Sequence, residues 1–275
     1  MMFIAIENQA SAYGDKKLNT TNKLTVKRTY AQQKRHEKEK QVQYKERLQV
    51  AQQYQFNYKD DPADLKEMIF GAQNFYKKHQ DKCRYGVSGS LLSMLKRVKF
   101  ESENSRTKFD TLVFVGHGGS GVMTIGMGAS PMELHQAPDK ASPKTTNAIE
   151  QMGSENRMMN VKNTNTWLGL FRDHKECFSP DRDNNTFHVV FAGCSTGNQS
   201  TKSIKYLTHE AAKELADVLK CKVNAYGADD VIKNSHVDKI LDNIETIKGM
   251  STGQAGSYPL STNDGNVNLV WVKRP

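Results

Sequence analysis

Two stretches, TLVFVGHGG (111–119) and FHVVFAGCSTG (187–197), each carry four consecutive apolar residues and then break at glycine. A strand with one face in water alternates polar and apolar positions; an unbroken run of strand length belongs to a strand buried on both faces. That requirement brings a parallel sheet with helices covering both sides. KVNAYGA (222–228) is a third, weaker run, and YLTHEAAKELADVLK before it sets Ala212, Leu215, Ala216 and Leu219 at helical spacing. Strand, helix and strand at this spacing predict a βαβ unit with parallel strands and a right-handed crossover. The fold class is therefore α/β, with a mostly parallel sheet in a three-layer α/β/α arrangement.

The remaining segments supply the covering helices. DPADLKEMIFGAQNFYKKH places Pro62 after Asp61, a helix-start signal, and then Leu65, Met68, Ile69, Ala72 and Phe75 on one side. SGSLLSMLKRVKF (88–100) repeats the pattern with Leu91, Leu92, Met94, Leu95 and Val98. The connection 121–186 is long and rich in Met, Asn and Ser, with one predicted helix at NTWLGLFRDHKE. Long connections of this kind are commonly functional. The chain closes with a predicted hairpin turn at Asp264–Gly265 and a β-rich VNLVWV. Residues 1–27 read as irregular, or as a short strand and turn. Residues 28–55 have strong helix composition but only a thin apolar stripe (Val42, Tyr44, Leu48, Ala51, Tyr54). The expected organisation is a basic N-terminal arm with a long helix over 1–55 and one domain over 56–275.

Charge separates the same regions. Residues 1–110 carry 22 Lys and Arg against 13 Asp and Glu, and residues 111–275 carry 17 of each, so the whole net charge of +9 lies in the first part. The ordinary reading of such a region is a solvated, lysine-rich helical surface; the other is that segment 28–55 meets a partner protein or an anionic surface. No zinc-finger spacing, RNP-like strand or phosphate loop accompanies it, which argues against nucleic acid. The four cysteines, Cys83, Cys177, Cys194 and Cys221, are dispersed with no CxxC pair, which argues against a disulfide framework and a structural zinc site. MMFIAIENQA has no basic start and too short an apolar run for a signal peptide, and no segment reaches membrane-spanning length. The expected location is the cytoplasm, or a host or target cell reached without a cleaved signal.

His117 and Cys194 each fall just past the end of an apolar run, flanked by glycine. In an open α/β sheet, functional groups gather beyond the carboxyl ends of the strands. Neighbouring strands would bring both side chains to one rim, where an imidazole can take the thiol proton and sulfur can attack a carbonyl. The glycines allow close approach of a substrate backbone, and the N–H groups of Gly118 and Cys194 are candidate oxyanion donors. A lone Cys after a strand is ordinarily a small core residue, and a lone His a capping one. The pair, each on a glycine corner of one sheet, favours catalysis. No metal or organic cofactor is needed.

VFVGHGG is similar to the His–Gly block of the caspase-like cysteine peptidases, which include caspases, legumain, clostripain, gingipain, separase and the CHAT domains. VVFAGCSTG resembles their Cys block, in the form found in CHAT-type and bacterial toxin-associated members. EAAKELADVLKCKVNAYG is similar to the helix and strand that follow in those bacterial members, and DGNVNLVWVKRP to their terminal hairpin. The resemblance covers about residues 108–275. It implies a cysteine endopeptidase, with His117 as base, Cys194 as nucleophile, and the Gly118 and Cys194 amides as the oxyanion site. It also implies a protein or peptide substrate, and a self-processing or effector role for the chain. Gly119, Ser120, Ser195, Asp229 and Asp230 are candidate substrate-pocket residues; a carboxylate of the last two could select a basic P1 side chain, while a loop or capping role is the more ordinary one for that pair. Two departures stand out: Gly193 where the family often has Ala, and a long His-to-Cys separation that makes 121–186 a candidate activation or autoprocessing loop.

Two other readings share these residues. Gly193–Gly197 also fits G-x-S-x-G, so Ser195 could be an esterase nucleophile with Asp229 or Asp230 and His236. Against it, NQSTKS does not open a helix, and too few residues follow Ser195 for the usual acid and His. The other reading is a non-catalytic binding module of caspase-like fold. His135, His174, His188, His209 and His236 lack ligand spacing and read as surface or structural residues, and Cys221 reads as core.

Overall fold

The chain enters the sheet at its start. In the computed structural model, which describes residues 1–7, 71–72, 74–88, 90–119, 121–125, 158–161, 164–197, 207–251 and 253–274, strand β1 spans Met2–Glu7 and is buried along its whole length. It lies between β2 (Cys83–Ser88) and β3 (Thr111–Val115), parallel to both, with Ile4 opposite Tyr85 on one side and Val113 on the other. This corrects the expectation for the N-terminal residues: 2–7 belong to the central sheet, not to an arm. The helical arm over 28–55 and the first part of the 61–79 helix lie outside the described residues. Residues 74–78 are helical, as that pattern predicts.

The order of the seven strands is β2-β1-β3-β7-β8-β10-β9. Strands β7 (Thr186–Ala192) and β8 (Lys222–Ala228) continue the parallel run. The hairpin β9 (Ala255–Thr262) and β10 (Gly265–Arg274) adds two antiparallel strands. The tight turn sits one residue earlier than the sequence suggests, at Asn263–Asp264. Gly265 follows it with φ +126°, a backbone that glycine adopts without steric cost. A second, three-stranded sheet joins β4 (Gly118–Gly119), β5 (Val122–Thr124) and β6 (Met158–Asn160). Neither β2 nor this small sheet announces itself by an apolar run.

Alternate residues along the central strands divide the core in two. Phe3, Ala5, Leu112, Phe114, Val189 and Phe191 face α1 (Leu91–Ser105), α2 (Thr164–Asp173) and α3 (Leu207–Leu219). Ile4, Ile6, Val113, Val115, Val190 and Tyr226 face α4 (Asn234–Asp242) and α5 (Ile244–Met250). Helices on both faces explain why β3 and β7 show no polar alternation. Each fully buried Phe or Ile contributes about 1.5–3 kcal/mol by leaving water. α1 begins where Ser90 caps it, its hydroxyl accepting the Ser93 N–H at 3.3 Å. It ends at Arg106, in the left-handed region at φ 51°. α2, inside the 121–186 connection, is a core helix with Trp167, Leu168 and Phe171 buried. Among the described residues no helix is long and apolar enough to cross a membrane.

Candidate functional site

β3 and β7 are adjacent and parallel, with Val115 opposite Ala192. His117 and Cys194 each stand two residues beyond that pair, on the same rim. The two corners touch through their backbones. The Gly116 N–H donates to the Ala192 carbonyl at 3.4 Å. A Cβ built on Gly193 would lie 2.7 Å from Met123 Sδ, 3.0 Å from the Gly116 carbonyl oxygen and 3.2 Å from the Gly118 nitrogen. One on Gly118 would lie 2.6 Å from Thr196 Cγ2 and 3.0 Å from the Cys194 carbonyl oxygen. The approaches under 3.0 Å require something to shift, and those at 3.0–3.2 Å require the facing backbone to give by a few tenths of an ångström, so glycine at both positions has a local cause. Gly193, where the Cys block that the sequence resembles often has Ala, is one of them.

The His117 corner is held from β1 and β5. Glu7, at the end of β1, is 1 % exposed, and its Oε2 accepts the His117 N–H and the Thr124 hydroxyl, each at 2.9 Å. The Thr124 N–H donates to the His117 carbonyl, also at 2.9 Å. That bond, one of the two that a hydrogen-bonded pair exchanges, makes the next pair, Gly118 with Met123, the non-hydrogen-bonded kind, with N–H groups turned away from the partner strand. β4 is an edge strand of the small sheet. The Gly118 N–H therefore points off that edge, on the side where Gly193 approaches it.

The Cys194 corner is clipped to the end of β8. The buried Thr196 hydroxyl lies 2.8 Å from the Phe191 carbonyl oxygen and 3.0 Å from that of Gly193, and it accepts the Ala228 N–H at 3.3 Å. The Gly197 N–H donates to the Ala228 carbonyl at 2.8 Å. Ser195 takes φ +54°, and its N–H donates to the Asp230 carbonyl at 3.0 Å. The Cys194 thiol donates to the Ile232 carbonyl at 3.8 Å and packs beside the Tyr226–Ile232 side of the core. Burial pushes this thiol above its ordinary value, against the lowering effect of the Ile232 contact, of its own backbone N–H and of Lys233. Among the described residues the His117 imidazole has no hydrogen-bond partner. The thiol is thus held by the loop after β8 and not by the imidazole.

The other predicted positions divide. Gly119 pairs with Val122 in the small sheet, and Ser120 lies outside the described residues. Asp229 accepts the Asn268 N–H at 2.8 Å and the Asn268 Nδ2 at 2.9 Å, tying β8 to β10. Asp230 accepts the N–H of Val231 at 2.7 Å, and its exposed carboxylate stays on the rim beside Cys194. His236 is 1 % exposed; its Nδ1 accepts the Lys233 N–H at 2.9 Å, leaving Nε2 to donate to the Gly265 carbonyl at 3.2 Å. One nitrogen caps α4 and the other is bonded to the start of β10, so both are taken up outside the role the esterase reading gives it. His174 and His188 are buried in hydrogen bonds to the Leu170 carbonyl (2.8 Å) and to Asp181 and Tyr226 (2.7 and 2.9 Å). His209 lies against Arg274, Cys221 packs on the core, and His135 lies outside the described residues. Among the described residues no cluster of three or more His, Cys, Asp or Glu could hold a metal ion.

Glu7, Thr124 and the Val231–Lys233 loop were not singled out from the sequence. A signal for Glu7 does exist: MFIAIE, like the two corner stretches, is an apolar run ending in a polar residue. Comparison with known protein families and with curated proteins finds no match for the chain.

Proposed function

We propose that the chain is a cysteine endopeptidase of caspase-like fold, in which Cys194 attacks a peptide carbonyl with His117 as its acid–base partner. The observation that carries this reading is the contact of the two glycine corners, which sets both residues two positions past one pair of adjacent strand ends. The Gly118 N–H, turned off the edge of β4, and the Cys194 N–H supply donors for the oxyanion of a tetrahedral intermediate. In the reaction the thiol proton passes to His117 and Sγ bonds to the carbonyl carbon. The intermediate collapses to a thioester as His117 protonates the leaving amine. Water then hydrolyses the thioester, with its proton accepted by His117. Substrate lies extended and bonds through its main chain, with Asp230 the carboxylate best placed to favour a basic side chain at the cleaved position. The chain cuts itself or another protein, and the basic segment 28–55 recruits that partner.

A second reading, a binding module on the same fold, is favoured by the thiol's bond to the Ile232 carbonyl in place of His117. Intact-mass labelling with thiol-directed peptidyl electrophiles separates the two, comparing the wild type with Cys194→Ala and Ser195→Ala. The peptidase reading expects a single adduct, lost only in Cys194→Ala, and the preferred peptide reports the pocket. Absence of any adduct while Cys194→Ala keeps partner binding supports the module. An adduct with a fluorophosphonate that requires Ser195 supports an esterase.

A further inference from the structure

We propose that Glu7 is the positioning residue of the site: it fixes the backbone of His117, and hence the imidazole, against the Cys194 corner. This rests on the peptidase reading of His117 and Cys194. β1 is parallel to β3, with Ile6 opposite Val115, so Glu7 stands at the level of Gly116 on the reactive rim. A carboxylate 1 % exposed is costly to bury unless its oxygens are satisfied, and here one of them is spent on the peptide of His117. Glu7 Oε2 accepts the His117 N–H, and the Thr124 hydroxyl stands 2.9 Å from both Glu7 Oε2 and the His117 carbonyl oxygen. The Thr124 N–H completes the set on that carbonyl. Both polar groups of the His117 backbone are thereby tied, one to β1 and the other to β5, and the imidazole keeps only its own side-chain torsions.

The approach requires glycine at position 116. A Cβ there would lie 2.7 Å from Glu7 Oε2 and 2.8 Å from Glu7 Cβ. A hydrogen-bonded carboxylate of purely structural value would be as useful at the opposite end of β1. Its place on the rim, one hydrogen bond from the residue that must be aimed, points to function.

The test measures inactivation of the full chain by the peptidyl electrophile that labels Cys194, as kinact and KI, alongside thermal melting and amide exchange at His117. Thr124→Val keeps the volume and removes the bridging hydroxyl. We expect it to lower kinact about tenfold, as a sub-ångström misplacement of a reacting group does, with KI within about twofold and faster exchange of the His117 amide. Glu7→Leu, where it folds, lowers kinact further. Glu7→Gln, which retains an acceptor oxygen, recovers kinact to within about threefold of the wild type if position is the dominant effect. Wild-type labelling with kinact unchanged in both Thr124→Val and a folded Glu7→Leu, and His117 exchange unaltered, overturns the role of Glu7 and leaves the peptidase reading standing. A wild type that forms no Cys194 adduct overturns the peptidase reading, and the functional role of Glu7 with it.

Discussion

Gly193→Ala adds one methyl group between the two corners. The methyl would meet Met123 Sδ at 2.7 Å, the Gly116 carbonyl oxygen at 3.0 Å and the Gly118 nitrogen at 3.2 Å. The methionine sulfur can swing aside, but the other two atoms are backbone in a segment already bonded to Ala192, Glu7 and Thr124. Relief must come from parting the corners by a few tenths of an ångström. Overpacking of this kind costs about 1–3 kcal/mol. At about 2–4 °C per kcal/mol for a chain of this size, the middle of that range lowers the melting temperature by about 4–8 °C. The same displacement separates His117 from Cys194, so adduct formation at Cys194 should slow by about tenfold. Gly169, inside α2, supplies the control. A Cβ there meets no described atom within 4 Å, so Gly169→Ala should raise stability by about 0.5–1 kcal/mol through the helix backbone alone. Differential scanning fluorimetry and intact-mass kinetics on both variants check the pair of signs. A Gly193→Ala variant that melts and labels like the wild type would show that the corners do not touch, and the argument for the site would fall with them.

Three further outcomes are expected. Because burial raises the Cys194 thiol above its ordinary 9.0, less of it is thiolate at neutral pH; its alkylation by iodoacetamide should be slower than that of a free thiol at pH 7 and keep climbing past pH 9, and a plateau below pH 8 would refute this. Cys83 and Cys177, both pushed up to about 11 mainly by burial, should lag behind it. His188 is held below its ordinary 6.5 by burial, outweighing the raising effect of Asp181 and Asp110, so its neutral form stabilises the fold in full above about pH 6.5 and that contribution is lost as pH falls towards the folded value. Urea unfolding between pH 5 and 8 should show this slope, and His188→Gln should flatten it. Thr196→Val leaves the Ala228 N–H without its hydroxyl acceptor in a buried site, at a cost of about 1–3 kcal/mol; a melting temperature equal to the wild type would contradict the clip.

What could be read in advance follows from which forces are local. β3, β7 and β8 are legible because burial on both faces leaves a run such as VVFA with no polar alternation. α1 and α3 are legible because their apolar residues recur at helical spacing. His117 and Cys194 stand out because glycine flanks them, and glycine is there because the neighbouring corner leaves no room for a Cβ. β2 is different: CRYGVS is amphipathic in no simple period, and its pairing with β1 links residues about eighty apart. The run MFIAIE marks Glu7 as the polar end of a buried strand, but its role appears only when the His117 N–H arrives from 110 positions away. The thiol's partner, the Ile232 carbonyl, is a backbone atom and leaves no mark on residue identity.

The place of β1 also bears on how the chain is made. Its six residues are made before either partner: one side waits for residue 83 and the other for residue 111. Until then MFIAIE is an apolar strand with two open edges, the kind of segment that recruits another chain or a chaperone. Closing such distant pairs slows folding. A fragment beginning near residue 108 would carry both His117 and Cys194 but would expose the side of β3 that β1 covers, and Glu7 would be missing from it. Excised in that way, the part of the chain that holds both residues should aggregate, and the same part should become soluble when a peptide of residues 1–7 is supplied in trans.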